Sequence, residues 1–114
     1  MSSGARRMAV ETVTPQQLKE LLAGKNPPLL LDVRDQWEYD VAHLEGARLL
    51  PLDDLQVLAF DLPRDREIVV YCHHGMRSAA AANFLMQNQF TNVKNLSGGI
   101  DRWAREIDSE MPRY

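Results

Sequence analysis

One cysteine, Cys72, is all that this chain of 114 residues contains, and a lone thiol can neither close an intramolecular bridge nor form a two-thiol redox pair. A secreted disulfide scaffold and a CxxC oxidoreductase are thereby excluded. The chain also lacks an excess of positive charge: 13 basic against 16 acidic residues give a net charge of −3, and no basic stripe offers itself to a phosphate backbone. Nucleic acid is not an expected partner. No apolar run approaches the roughly 18–20 residues of a membrane span, so no membrane partner is expected either. Arg6-Arg7 is followed by no hydrophobic segment of the kind an export signal needs, and a reducing cytoplasm is the expected compartment. Internal repeats, low-complexity linkers and shifts of composition are missing as well. That leaves one domain over residues 10–114, preceded by a flexible tail over residues 1–9. At this length one core can bury about two-thirds of the unfolded surface without disulfide staples.

What is present is a regular alternation of elements. Residues 10–13 read as a short strand, and Thr14-Pro15-Gln16-Gln17 supplies an N-cap, a first-turn proline and a capping-box glutamine for a helix. Leu18, Leu21 and Leu22 share a face of that helix, and Gly24 is placed to end it in the left-handed conformation. Residues 29–33 are apolar except for Asp32, as in a strand buried on both faces. Asp35 and Glu38 can open a short helix, residues 47–50 form a brief strand, and residues 53–60 read as another helix. Ile68-Val69-Val70-Tyr71 is the clearest strand and ends at Cys72. A long alanine-rich helix capped by Ser78 follows, then a strand over residues 93–96. Ile100, Trp103, Ala104 and Ile107 mark a final amphipathic helix. The order implies an α/β fold with a mostly parallel sheet and helices on both faces.

In such sheets ligands bind beyond the carboxyl ends of the strands, where Cys72 stands. The segment Cys72-His73-His74-Gly75-Met76-Arg77-Ser78 runs from a strand end to a helix start, where unpaired N–H groups and the positive helix end gather. A short loop there can curl around an anion and favour the thiolate, which is the nucleophile, over the thiol. Gly75 permits the positive φ that tight curling requires. His73 and His74 have two readings each: hydrogen bonding to a substrate or the thiolate, or simple exposure to water. Arg77 can face an oxyanion over the sulfur or pair with a carboxylate such as Asp32 or Glu38. Asp32 and Arg34, on the same sheet edge, are expected to form a structural buried pair. No metal site is expected, because Cys72, His73, His74 and His43 do not make a spaced tetrahedral ligand set. Trp37, Trp103 and Gly98-Gly99 read as packing and turn residues.

Three segments together resemble the rhodanese (thiosulfate sulfurtransferase) family over residues 10–105. They are Leu31-Asp32-Val33-Arg34 with Glu38-Tyr39 and His43-Leu44-Glu45-Gly46-Ala47 before Pro51, then Cys72 to Ser78, then Gly98-Gly99-Ile100 with Trp103. Ala42 departs from the glycine usual before the histidine. The resemblance implies a rhodanese-like fold with a five-stranded sheet, and ping-pong transfer of a sulfane sulfur through a persulfide on Cys72. It also implies that the backbone amides from His73 to Arg77 hold the anionic sulfur, with no cofactor. Expected partners are small sulfur donors such as thiosulfate and thiol or cyanide acceptors, with a protein sulfur donor or acceptor as a further class. An alternative is a partner-docked persulfide carrier or regulatory module with weak turnover. A cysteine phosphatase or arsenate reductase, whose loops are implied to place five residues between cysteine and arginine, fits less well. Here there are four.

Overall fold

A computed structural model describes residues 10–114, so the tail expected over residues 1–9 lies outside the described residues. Five strands build one sheet: β1 (Glu11–Val13), β2 (Leu29–Asp32), β3 (Arg48–Leu49), β4 (Ile68–Tyr71) and β5 (Val93–Leu96). Their order is β1-β5-β4-β2-β3, and every pairing is parallel. Parallel strands need crossover connections, and helices provide them: α1 (Pro15–Leu22), α2 (Gln36–Val41), α3 (Leu55–Leu58) flanked by two 3-10 turns, α4 (Met76–Gln87) and α5 (Gly99–Glu106).

Strand alternation decides which side chains meet which helices. Ile68 and Val70 of β4 join one cluster with Leu55, Ala81, Ala82 and Leu85, whereas Val69 and Tyr71 join another with Leu18, Ile100 and Trp103. Both faces of β4 are thus covered, which is why its four residues read as an unbroken apolar run. The expected α/β architecture is the observed one, with the sheet parallel throughout.

Helix α1 opens as its sequence dictates: Gln17 N–H donates to Thr14 Oγ1 at 3.1 Å, and Thr14 N–H donates to Gln17 Oε1 at 2.9 Å. Its far end differs from expectation. Ala23 is the C-cap in a right-handed conformation, and Gly24 is not among the positive-φ residues. Two adjacent prolines, Pro27 and Pro28, already stop the helix from continuing. The helix expected over residues 53–60 is broken into 3-10 turns around four α-helical residues, because Asp54 and Leu58 are spent as caps of short pieces. No described helix is long and apolar enough to cross a membrane.

The topology positions the site. From β2 the chain continues outward to β3, but β4 lies on the other side of β2 and leads on to β5. Loops leaving β2 and β4 therefore diverge, opening a crevice at their carboxyl ends. Asp32 is paired in register with Tyr71, so Arg34 and Cys72 flank that crevice.

Candidate functional site

Cys72 directly follows β4 and is 1 % exposed, the floor of a loop that closes on it. Gly75 N–H donates to its Sγ at 3.1 Å and Ser78 N–H at 3.3 Å; the Ser78 hydroxyl stands 3.3 Å away. Donors converging on one atom at a helix N-terminus solvate negative charge on it. Gly75 is the left-handed residue the loop needs, at φ +109°, and it rather than Ser78 caps α4. Ser78 lies in the first turn instead, and this frees its side chain for the sulfur.

Ser78 Oγ is also within 2.5 Å of Asn95 Oδ1, while Asn95 Nδ2 donates to the Gly75 carbonyl at 3.1 Å. The hydroxyl has one proton and two acceptors, so Asn95 and Cys72 compete for it. Sequence reasoning missed Asn95. Its signal was a polar residue at an inward position of the otherwise buried end of β5.

Of the two carboxylates offered to Arg77, the structure gives it Glu38. Its guanidinium holds Glu38 with both donors, Nη1 to Oε1 at 2.7 Å and Nη2 to Oε2 at 2.8 Å, and it does not touch Asp32. Glu38 accepts two further bonds, from Asp35 N–H at 3.0 Å and from the Tyr114 hydroxyl at 2.8 Å. The Arg77 bonds, outweighing burial, pull its carboxyl pKa down to about 2. Across the crevice, Arg34 and Asp32 are both fully buried and joined by Nε to Oδ1 at 2.8 Å and Nη2 to Oδ2 at 2.7 Å. Arg34 also donates to the Ala42 carbonyl and to Tyr114 Oη, each at 2.7 Å. Burial pulls its pKa down, but the bonds to Asp32 and Tyr114 outweigh it and the net shift is upward. Burial pushes the Tyr71 phenol up, and its hydroxyl accepts from Leu44 N–H at 3.1 Å.

His73 and His74 stack on one another at 3.9 Å, and His73 stacks on Tyr114 at 4.1 Å. Burial, and then the neighbouring His74, lower the pKa of His73. Their ring nitrogens and an Asp101 oxygen lie within 4.8 Å of one another. Asp101 is already occupied by Arg105 at 3.2 Å and Arg113 at 3.0 Å, positive charge that works against a cation there. His43 is elsewhere, stacked on Tyr39 and bonded to its carbonyl. Met76, the first residue of α4, is 81 % exposed.

Two expectations change. Trp37 does not pack into the core: it is 57 % exposed and meets Tyr114 edge-on at 5.4 Å, whereas Trp103 is buried in the core as expected. Gly99 does more than turn the chain. Ile100 N–H binds the Cys72 carbonyl at 2.9 Å and Asp101 N–H the His73 carbonyl at 3.1 Å, so the start of α5 anchors the loop that begins at Cys72. This contact joins residues far apart in sequence and had no local signal.

The model of the rhodanese-like domain family matches residues 14–106. Over 106 residues the chain is 38% identical to a probable adenylyltransferase/sulfurtransferase MoeZ of Mycobacterium tuberculosis, with 90% of this chain aligned to 27% of that protein. The chain therefore spans about a quarter of that relative's length. It is 35% identical over 96 residues to a sulfurtransferase of Allochromatium vinosum, covering 84% of this chain and 90% of that one. Among solved structures, a rhodanese-related protein from Thermoplasma volcanium superposes with a TM-score of 0.78 at 31% identity, over 85% of this chain and 93% of that one. Fold, the loop around Cys72 and relatives agree: the chain belongs to the rhodanese-like domain family.

Proposed function

We propose that this protein is a sulfurtransferase that carries a sulfane sulfur on Cys72 from a small donor such as thiosulfate to a thiol or cyanide. The observation that supports this reading best is the convergence of Gly75 N–H, Ser78 N–H and Ser78 Oγ on Sγ within a loop that puts only four residues between Cys72 and Arg77. A ring this tight suits one sulfur atom better than a tetrahedral phosphate or arsenate.

In the first step the Cys72 thiolate attacks the outer sulfur of thiosulfate. A Cys72–sulfur bond forms, the donor's S–S bond breaks, and sulfite leaves with the electron pair. The terminal persulfide sulfur then carries the negative charge, and the backbone amides of residues 73–77 would hold it. In the second step an acceptor thiolate or cyanide attacks that outer sulfur, and the Cys72 thiolate leaves. The acceptor gains the sulfur, and no oxidant, metal or organic cofactor enters the balance. With no second cysteine in the chain to resolve it, the persulfide depends on an external acceptor. A reducing compartment such as the cytoplasm suits that dependence.

A second reading, a persulfide carrier that discharges to a docked protein, draws on the exposed apolar residues Met76 and Trp37 near the loop. It also draws on a larger relative that contains a matching region as about a quarter of its length. The two readings part in steady-state assays. With Cys72→Ser as the blank, the enzyme reading expects sustained thiosulfate:cyanide turnover, and the carrier reading expects loading without it. Turnover that survives Cys72→Ser contradicts both.

A further inference from the structure

Arg77 stands five residues after Cys72, close enough to feel its charge, and its guanidinium is already chelated by Glu38. An anion that approaches Cys72 must draw Arg77 away from that carboxylate, at least in part. What else holds Glu38 therefore decides how available Arg77 is. Among the described residues, the other side-chain donor to Glu38 is Tyr114, from the segment that follows α5.

The direction of each bond around Tyr114 is forced by chemistry. A guanidinium cannot accept, so Arg34 Nη1 donates to Tyr114 Oη at 2.7 Å, and the single phenolic proton goes to Glu38 Oε2 at 2.8 Å. A continuous chain results: Asp32, Arg34, Tyr114, Glu38, Arg77. The ring is fixed on its flanks by His73 at 4.1 Å and Trp37 at 5.4 Å, and the adjacent Arg113 is tied to Asp101 at 3.0 Å. Burial and the bond to Glu38, against the opposing bond from Arg34, push the phenol up to about 12, so its proton stays in place at neutral pH.

Resting on the sulfurtransferase reading above, we infer that Tyr114 is a positioning residue for Arg77. Its hydroxyl, polarised by Arg34, takes up part of the Glu38 charge and lets Arg77 turn toward an anionic donor over Cys72. Without that hydroxyl Glu38 keeps its charge for Arg77 alone and holds it back from the donor. Arg34 itself stays in place, because Asp32 and the Ala42 carbonyl hold it through three other bonds.

The test is the ratio of Cys72 alkylation rates by iodoacetate, an anion, and iodoacetamide, its neutral counterpart. The intrinsic reactivity of the thiolate cancels in this ratio, and no sulfur transfer is needed to read it. Arg77→Ala should lower the ratio, and Glu38→Gln should raise it. Tyr114→Phe, which keeps the ring and its stacking, should lower the ratio about fivefold, equivalent to about 1 kcal/mol. In the Glu38→Gln background the same change should do nothing. In turnover, Tyr114→Phe should raise the thiosulfate KM and leave kcat with cyanide in place. A ratio unchanged or raised in Tyr114→Phe overturns the role of Tyr114, even if Arg77→Ala behaves as expected. A ratio indifferent to Arg77→Ala overturns instead the reading of Arg77 as the donor's cation.

Discussion

Gly99→Ala is the change for which the structure sets the sharpest expectation. At φ +63° a Cβ on residue 99 would lie 2.3 Å from the His73 carbonyl oxygen and 2.5 Å from that of Cys72. Both atoms are backbone of the loop that begins at Cys72, so no side chain can swing aside. The left-handed conformation alone costs an alanine about 1–2 kcal/mol, and overpacking against a rigid neighbour adds about 1–3 kcal/mol. Should the loop retreat instead, the bonds from Ile100 N–H to Cys72 and from Asp101 N–H to His73 are broken, each worth about 0.5–1.5 kcal/mol. Either way the loss is about 2–5 kcal/mol, a large share of the 5–15 kcal/mol typical of a domain. Gly46→Ala is the matched control: its φ is +82°, but nothing lies within 4 Å of the added carbon, so only the conformational cost of about 1–2 kcal/mol applies. Urea denaturation of both variants measures the difference, and alkylation of Cys72 under native conditions reports the loop. If the two variants fall within about 0.5 kcal/mol of each other, within measurement error, the anchoring of the loop by α5 is wrong.

Removing Arg34 leaves Asp32 charged and fully buried, so Arg34→Ala should cost about 3–5 kcal/mol in urea denaturation. The double change Asp32→Leu with Arg34→Met should recover most of that, and failure to recover would mean the pair does more than neutralise itself. Glu38 has its pKa lowered from 4.5 to about 2, so the stability it contributes is complete above pH 4.5 and fades as pH falls through about 2. The shift corresponds to about 3 kcal/mol, trimmed to about 2 kcal/mol by solvent at the 37 % exposed side chain of Arg77. Between pH 5 and 2 the parent should therefore lose about 2 kcal/mol more than Glu38→Gln, and equal losses would contradict the pairing. Ser78→Ala deprives both Cys72 and Asn95 of a hydroxyl; it should cost about 1–3 kcal/mol and slow alkylation of Cys72, and unchanged values of both would remove Ser78 from the site.

Local signals in the sequence carried much of this. The capping box at Thr14, the apolar run of β4 and the glycine at 75 each act within a few residues, so their outcomes could be read from spacing. Gly24 and Ser78 failed for a shared reason: a residue type that often caps helices was assigned a cap where neighbouring residues had already settled the end. The two ion pairs show a further limit. Asp32 and Arg34 are two residues apart and were legible; Glu38 and Arg77 are 39 apart, and sequence alone could offer only a choice of partners. Tyr114 reaches Glu38 across 76 residues and Gly99 backs onto Cys72 and His73 through the turn after β5, contacts that exist only once the sheet order is set.

The central claim is that Cys72 accepts a sulfur atom and gives it up. Intact mass after incubation with thiosulfate should rise by about 32 Da, one sulfur as a persulfide, and return to its starting value when cyanide or glutathione is added. No gain should occur in Cys72→Ser. A parent protein that never gains that mass, or a gain that persists in Cys72→Ser, would contradict the account.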